Sequence, residues 1–359
     1  MNLKPKRIGV ALSGGGIRAA VYHLGVLQYL AEAKLFQRIT SISSVSGASL
    51  VIGLVFAASG NKWPSAHEFM HHVQPKMRQL ITTHNIQAAA LRRLPFSPWF
   101  WRNRVGLLAK MLEEKWGIHG NLQDIPKHPF WEINCTTFET GGNFRFRRDY
   151  MGDQKIGYVQ YPQIPISHMV AASAAFPVLI GPYILQTQGL HWSKDKFGKH
   201  PQPNVDDHYT LWDGGVYDNL GLDALYKTGR GLDKEIDFLI VSNASAGIEH
   251  QPRRSHAANL RRLLDITMNQ VDVLRTRQVV SGVIGKGKGM YLKIGYTAEH
   301  IAHILGLPQT AIIHGLSEEE ANKVSHYPTT LNSPTPEDYD LIFRHGYESA
   351  RCIWGVVAR

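Results

Sequence analysis

The first sixty residues carry two kinds of hydrophobic pattern in strict succession. An apolar run, Ile8, Val10 and Leu12 with small residues between them, predicts a buried strand over Arg7 to Ser13. Gly14, Gly15 and Gly16 break it. Val21, Leu24, Leu27, Leu30 and Ala31 then recur at helical spacing, which predicts an amphipathic helix over Ala19 to Ala33. The stretch Ile39 to Val45 is rich in β-branched residues and reads as a second strand. Ser46 and Gly47 turn the chain into an apolar helix, Ala48 to Ala58. Two strand–tight turn–helix units in a row predict an α/β fold with a mainly parallel central sheet.

Further strands are expected at Glu132 to Thr137 and Ile236 to Val241, and residues 61–130 read as helices and loops rich in basic and aromatic residues. The uncharged window Ile164 to Leu185 is long enough to test as a membrane span. Pro165, Pro177, Pro182 and His168 predict instead a buried helix followed by an extended segment. Gln186 to His208 is polar and reads as an exposed insertion. A helix over Ala257 to Val273 sets Leu260, Leu263, Leu264, Met268 and Val271 on one face. Ser317 with Glu320 forms a capping box, and Thr335-Pro336 supplies the N-cap and first turn of a final helix. Nothing resembles an interdomain linker, so one large domain over 1–359 is expected.

Composition narrows the partners. Lys+Arg 39 against Asp+Glu 29 gives a net charge of +10, which favours anionic partners, an anionic membrane surface among them. Hydrophobic residues at 43% exclude a disordered chain. Two cysteines, Cys135 and Cys352, exclude a disulfide framework and a multi-cysteine zinc site. The apolar run after the basic Met1 to Arg7 is too short for a secretory signal, so the expected location is the cytoplasm, with peripheral membrane contact.

Three motifs carry candidate chemistry. Gly14-Gly15-Gly16-Ile17-Arg18 between a strand and a helix leaves amides uncovered at a helix N-terminus, where a phosphate or a developing oxyanion is favoured. No Gly-Lys-Ser/Thr follows, which excludes a Walker A loop. The spacing also fits a dinucleotide-binding variant, but the second strand ends in Ser44-Val45-Ser46-Gly47 rather than in an acidic residue. Ser46 sits where a nucleophile elbow would place its hydroxyl, with small residues at Ser44 and Ala48. A helix-capping serine is the plainer reading. Asp213, before Gly214-Gly215, is an ordinary turn residue or a carboxylate able to take a proton from serine, with Asp218 as a nearby alternative. A Ser–His–Asp triad using His303 or His326 is a further alternative among the 18 histidines.

These motifs, with Ala171-Ala172-Ser173-Ala174-Ala175-Phe176-Pro177 between them, occur in the order found in the patatin-like phospholipases, which the chain resembles over residues 8–216. The resemblance implies a patatin-like three-layer α/β sandwich and a lipid acyl hydrolase of phospholipase A or lysophospholipase type, with no cofactor or metal. It implies Ser46 as nucleophile and Asp213 as general base. The Gly14, Gly15, Gly16 and Gly47 amides would form the oxyanion hole, with Arg18 fixing that loop. A catalytically silent lipid-binding relative is the alternative. Arg92, Arg93, Phe96, Trp99, Phe100, Trp101 and Arg102 form an aromatic–arginine segment suited to lipid headgroups or to capping the site; no nucleic-acid module accompanies it. Headgroup, chain position and oligomeric state are not encoded in these motifs.

Overall fold

The computed structural model describes residues 5–93, 103–177, 180–248, 256–308 and 315–358. Its strands are β1 Ile8–Leu12, β2 Ile39–Val45, β3 Phe130–Thr137, β4 Asn143–Phe146, β5 Tyr150–Asp153, β6 Gly157–Gln160, β7 Tyr183–Gln186, β8 Trp192–Ser193, β9 His208–Asp213, β10 Tyr226–Lys227, β11 Gly231–Leu232, β12 Phe238–Asn243 and β13 Gly289–Lys293. Eleven of them build one mixed sheet, and β10 and β11 form a separate hairpin. The centre, β13-β12-β1-β2-β3, is parallel throughout. From β3 outward the sheet turns antiparallel through β4, β5, β6 and β8. A second antiparallel branch starts at the far end of β3, where β9 pairs with it and β7 pairs with β9.

The parallel strands are buried on both faces, which explains their continuous apolar character: every residue of β1 and of β12 is buried. Helices cover both faces, chief among them α1 Gly16–Glu32, α2 Gly47–Ala58 and the terminal helix Pro336–Val357. The strand register aligns the two turns. Leu12 pairs with Ser44, so Gly14 and Ser46 leave the sheet side by side, two residues further along each strand. On the next strand, Val45 pairs with Asn134 and Cys135 with Asp213. Neighbouring rungs therefore gather the glycine turn, the elbow and the aspartate at one sheet end.

Several expectations need adjustment. Helix α1 begins at Gly16, because glycine tolerates the turn that the strand exit requires, three residues before the amphipathic pattern starts. The Gln186 to His208 stretch is not wholly exposed. Its Trp192 and Ser193 are buried and pair with β6, and its two ends belong to β7 and β9. The helix expected over Ala257 to Val273 runs from His256 to Gly282. Its Leu263 and Ile266 are exposed while Asp272 is buried, because Asp272 accepts hydrogen bonds from Asn243 Nδ2. The window Ile164 to Leu185 holds the buried helix Ile166–Ser173 and then β7, as its prolines predict. Among the described residues no helix is long and apolar enough to cross a membrane.

Helix α1 packs on the terminal helix through backbone contact. A Cβ on Gly25 would run into the Phe343 carbonyl, and one on Gly346 into the Tyr22 carbonyl. Bulk at this crossing must push the helices apart, so Gly25→Val is expected to lower stability by about 3 kcal/mol. Thermal denaturation reads this directly; an unchanged midpoint would contradict the close crossing.

Candidate active site

Ser46 stands between β2 and α2 with φ 53° and ψ −118°. A positive φ of this kind is rare outside glycine and costs on the order of 1–3 kcal/mol. The turn must be this sharp because α2 starts against the glycine turn of α1. A Cβ on Gly47 would collide with the Gly16 carbonyl, and one on Gly14 would lie 3.1 Å from Ser46 Cβ. The elbow is held by the Ser46 amide, which donates to Ser173 Oγ at 3.0 Å. Ser46 itself is only half-buried, so its side chain can be reached.

Asp213 ends β9 and is 2% exposed. Its amide donates to the Ala175 carbonyl at 3.0 Å, and Thr136 Oγ1 donates to its carbonyl at 2.9 Å. The Gly215 amide donates to Asp213 Oδ1 at 2.8 Å. Burial pushes the carboxyl up to about 6, against the opposing pull of the Gly215 amide and the Ser46 hydroxyl. The same burial, with the neighbouring carboxylate, raises the Cys135 thiol. Among the described residues no imidazole joins Asp213. His303 is exposed on the helix Ala298–Leu305, and His326 bonds the Asn322 carbonyl. Asp218, the alternative carboxylate, is turned to other work, accepting from the Leu220 and Asp223 amides.

The glycine turn divides by function. The Gly14 amide donates to the Asn219 carbonyl at 3.1 Å, and the Ile17 amide to the Thr330 carbonyl at 2.8 Å. For the amides of Gly15, Gly16 and Gly47 there is no protein acceptor among the described residues. Thr330 lies against Gly16, where a dinucleotide pyrophosphate would have to enter. Arg18 is 1% exposed and bonds only carbonyls: Ala244 through Nε and Nη2, Tyr327 at 2.6 Å and Ser325 at 3.3 Å through Nη1. Burial lowers its guanidinium to about 10. Beneath the turn, fully buried His23 bridges the Ser13 carbonyl and Ser242 Oγ at 2.9 Å each, and burial depresses it to about 4. Ser13 in turn bonds the Gly14 carbonyl.

Sequence reading did not single out His23, Asn134, Asn219, Ala244, Tyr327 or Thr330. Most contribute a main-chain carbonyl, which leaves no residue-type signal. Ser173 was visible within its motif but without a role. Of the aromatic–arginine segment, Arg92 is exposed and Arg93 pairs with Glu114 at 2.7 Å. Phe96, Trp99, Phe100, Trp101 and Arg102 lie outside the described residues.

The raised Asp213 carboxyl has a stability consequence. A group whose folded value lies above its unfolded one supports folding fully below the unfolded value, and that support is lost as pH rises through the folded value. The rise from 3.8 to about 6, at about 1.4 kcal/mol per pH unit, corresponds to about 3 kcal/mol of destabilisation at pH 8. Asp213→Asn is therefore expected to unfold at a higher temperature than the wild type at pH 8, with the gap closing towards pH 4. Calorimetry across that range checks both the sign and the window.

Comparison with known proteins identifies the family and the fold. The family model described as patatin-like phospholipase matches residues 10–226, more than half of the chain. No curated protein matches the sequence. The chain is similar in structure to human GIVD cytosolic phospholipase A2, with a TM-score of 0.55 and 14% identity over 98% of this chain and 59% of that one. The same human enzyme in complex with methyl gamma-linolenyl fluorophosphonate gives a TM-score of 0.52 and 14% identity, covering 98% and 58%. The chain thus spans about three-fifths of the length of these structures, and at this identity the likeness is one of fold. With its glycine turn, elbow serine and Asp-Gly-Gly turn all inside the matched region, the chain belongs to the patatin-like phospholipase family.

Proposed function

We propose that this protein hydrolyses carboxylic esters of lipids, in the manner of a phospholipase A or lysophospholipase, with Ser46 as nucleophile and Asp213 as general base. The observation that carries the proposal is the pairing itself. A reachable serine on a strained elbow neighbours a buried carboxyl whose pKa stands near 6 and is pulled down by that serine's hydroxyl, with no imidazole among the carboxyl's described partners. A carboxylate of ordinary acidity would be too weak a base, and burial corrects this. Family membership and the likeness to a phospholipase that binds a lipid fluorophosphonate support a lipid ester as the substrate class.

In this reading Ser46 Oγ attacks the ester carbonyl carbon while its proton passes to Asp213. The carbonyl π pair moves onto oxygen, giving a tetrahedral oxyanion. The Gly15, Gly16 and Gly47 amides donate hydrogen bonds to that oxygen, since the Gly14 amide is committed to Asn219. Each such donor is typically worth about 3 kcal/mol to the barrier. Collapse expels the alcohol, which takes the proton from Asp213. Water, deprotonated by Asp213, then attacks the Ser46 acyl ester, and the fatty acid leaves as Ser46 regains its proton. Arg18 acts through the loop rather than on substrate, because carbonyls occupy its donors.

The net charge of +10 supports an anionic membrane surface as the place where substrate is met, with Arg92 among the exposed cations. Two unpaired, buried cysteines support a reducing compartment such as the cytoplasm.

The test is intact-mass analysis after treatment with a fluorophosphonate. One adduct is expected on the wild type and none on Ser46→Ala, with labelling of Asp213→Asn slowed by about 100-fold or more. Labelling at another serine, or undiminished labelling of Ser46→Ala, would sink the assignment. Because the base must be ionised, kcat/KM on a soluble short-chain ester is expected to fall as pH drops through about 6. An acid limb centred near pH 4 would argue against Asp213.

A further inference from the structure

We infer that Ser173 is a positioning residue that holds the nucleophile and the base at working distance; the inference rests on the Ser46–Asp213 reading above. Ser173 is the last residue of the helix Ile166–Ser173 and is fully buried. It reaches both halves of the pair at once. Its Oγ accepts the Ser46 amide at 3.0 Å, and its carbonyl accepts the Gly214 amide at 3.3 Å. Two residues on, the Ala175 carbonyl accepts the amide of Asp213 itself at 3.0 Å. One short segment thus fixes the main chain of the elbow and of the aspartate turn.

The hydroxyl cannot swing away, because its hydrogen bonds have only one consistent direction. Ser173 Oγ donates to the Asn134 carbonyl at 2.7 Å, which uses its single proton. Ser49 Oγ, 2.9 Å away, must therefore donate to Ser173, and Ser44 Oγ must donate to Ser49 across 2.9 Å. At the far end the Trp131 indole, which can only donate, gives its proton to Ser44 Oγ at 2.9 Å. The chain Trp131–Ser44–Ser49–Ser173–Asn134 is buried throughout and polarised in one sense. Asn134 closes the frame: its Nδ2 donates to Ser43 Oγ at 2.9 Å and to the Ser44 carbonyl at 3.0 Å, on the strand that leads into the elbow.

A strained φ of +53° at Ser46 persists only where its surroundings over-determine it. Without the Ser173 oxygen the Ser46 amide is left unpaired, and the elbow relaxes away from Asp213. A displacement near 1 Å at a reacting group typically costs about 100-fold in rate.

The experiment compares wild type, Ser173→Ala, Ser49→Ala, Ser46→Ala and Asp213→Asn in fluorophosphonate labelling and in steady-state hydrolysis of a soluble short-chain ester. Ser173→Ala is expected to lose about 100-fold in kcat and in labelling rate with KM within about twofold. Its acid limb is expected to move to higher pH, since Asp213 loses the nearby Ser46 hydroxyl that favours its ionised form. Ser49→Ala leaves the Ser46, Asn134 and Gly214 bonds of Ser173 in place and is expected to lose under about fivefold, with no movement of the limb. If Ser173→Ala does not fold, Ser173→Cys keeps an atom of similar placement but weaker acceptance, and is read by the same loss and limb movement.

Full kcat with an unmoved limb in the folded Ser173 variant would overturn the inference. So would a loss in Ser49→Ala equal to that of the Ser173 variant, which would assign the effect to packing of the serine cluster. Failure of the dyad itself looks different: Ser46→Ala would still label.

Discussion

Two chain turns meet backbone to backbone where Gly47 abuts the Gly16 carbonyl, and the rest of the site follows from that contact. Parallel strands β1 and β2 end level with each other, so the helices that follow them must start side by side. No side chain fits between the two starts. The consequence is a pair of helix N-termini with uncovered amides on either side of one serine, which is the arrangement an oxyanion needs. The cost is local strain at Ser46, offset by hydrogen bonding to a buried serine.

The sheet positions the proposed base by a different geometry. β3 pairs in parallel with β2 and, further along, antiparallel with β9, so that Asn134 and Cys135 stand between the strand of Ser46 and the strand of Asp213. The carboxylate is thereby buried at the same sheet end as the serine, away from solvent, and its raised pKa is a direct result of that burial. On the proposed mechanism, function and stability pull against each other at this position: the burial that would make Asp213 a useful base at neutral pH also makes its ionised form a burden on the fold. The C-terminal third of the chain is part of the same construction. Ala244, Ser325, Tyr327 and Thr330 lend carbonyls to Arg18 and Ile17, so segments beyond the family match hold the glycine turn in place.

Much of this was legible in the sequence, and the limits are physical. Ile8 to Leu12 and Ile39 to Val45 announced the central strands because strands buried on both faces must be apolar throughout. Ser46 stood out as a candidate because a sharp elbow demands small neighbours, and Asp213 because a Gly-Gly turn follows it. The carbonyls that grip Arg18 were invisible, since every residue type carries one. Trp192 and Ser193, within a polar stretch, joined the sheet through main-chain bonds that composition does not report. On the helix His256–Gly282, Leu263 is exposed and Asp272 is buried, the carboxylate being satisfied by Asn243 on β12.

The central claim is that Ser46, Asp213 and the uncovered glycine amides form one reacting centre. A crystal structure of the protein after reaction with a fluorophosphonate tests it most directly. The account predicts phosphorus bonded to Ser46 Oγ, with the phosphoryl oxygen about 3 Å from the amides of Gly15, Gly16 or Gly47 and the Gly14 amide still on Asn219. Phosphorus on another residue, or a phosphoryl oxygen turned away from all three amides, would contradict it.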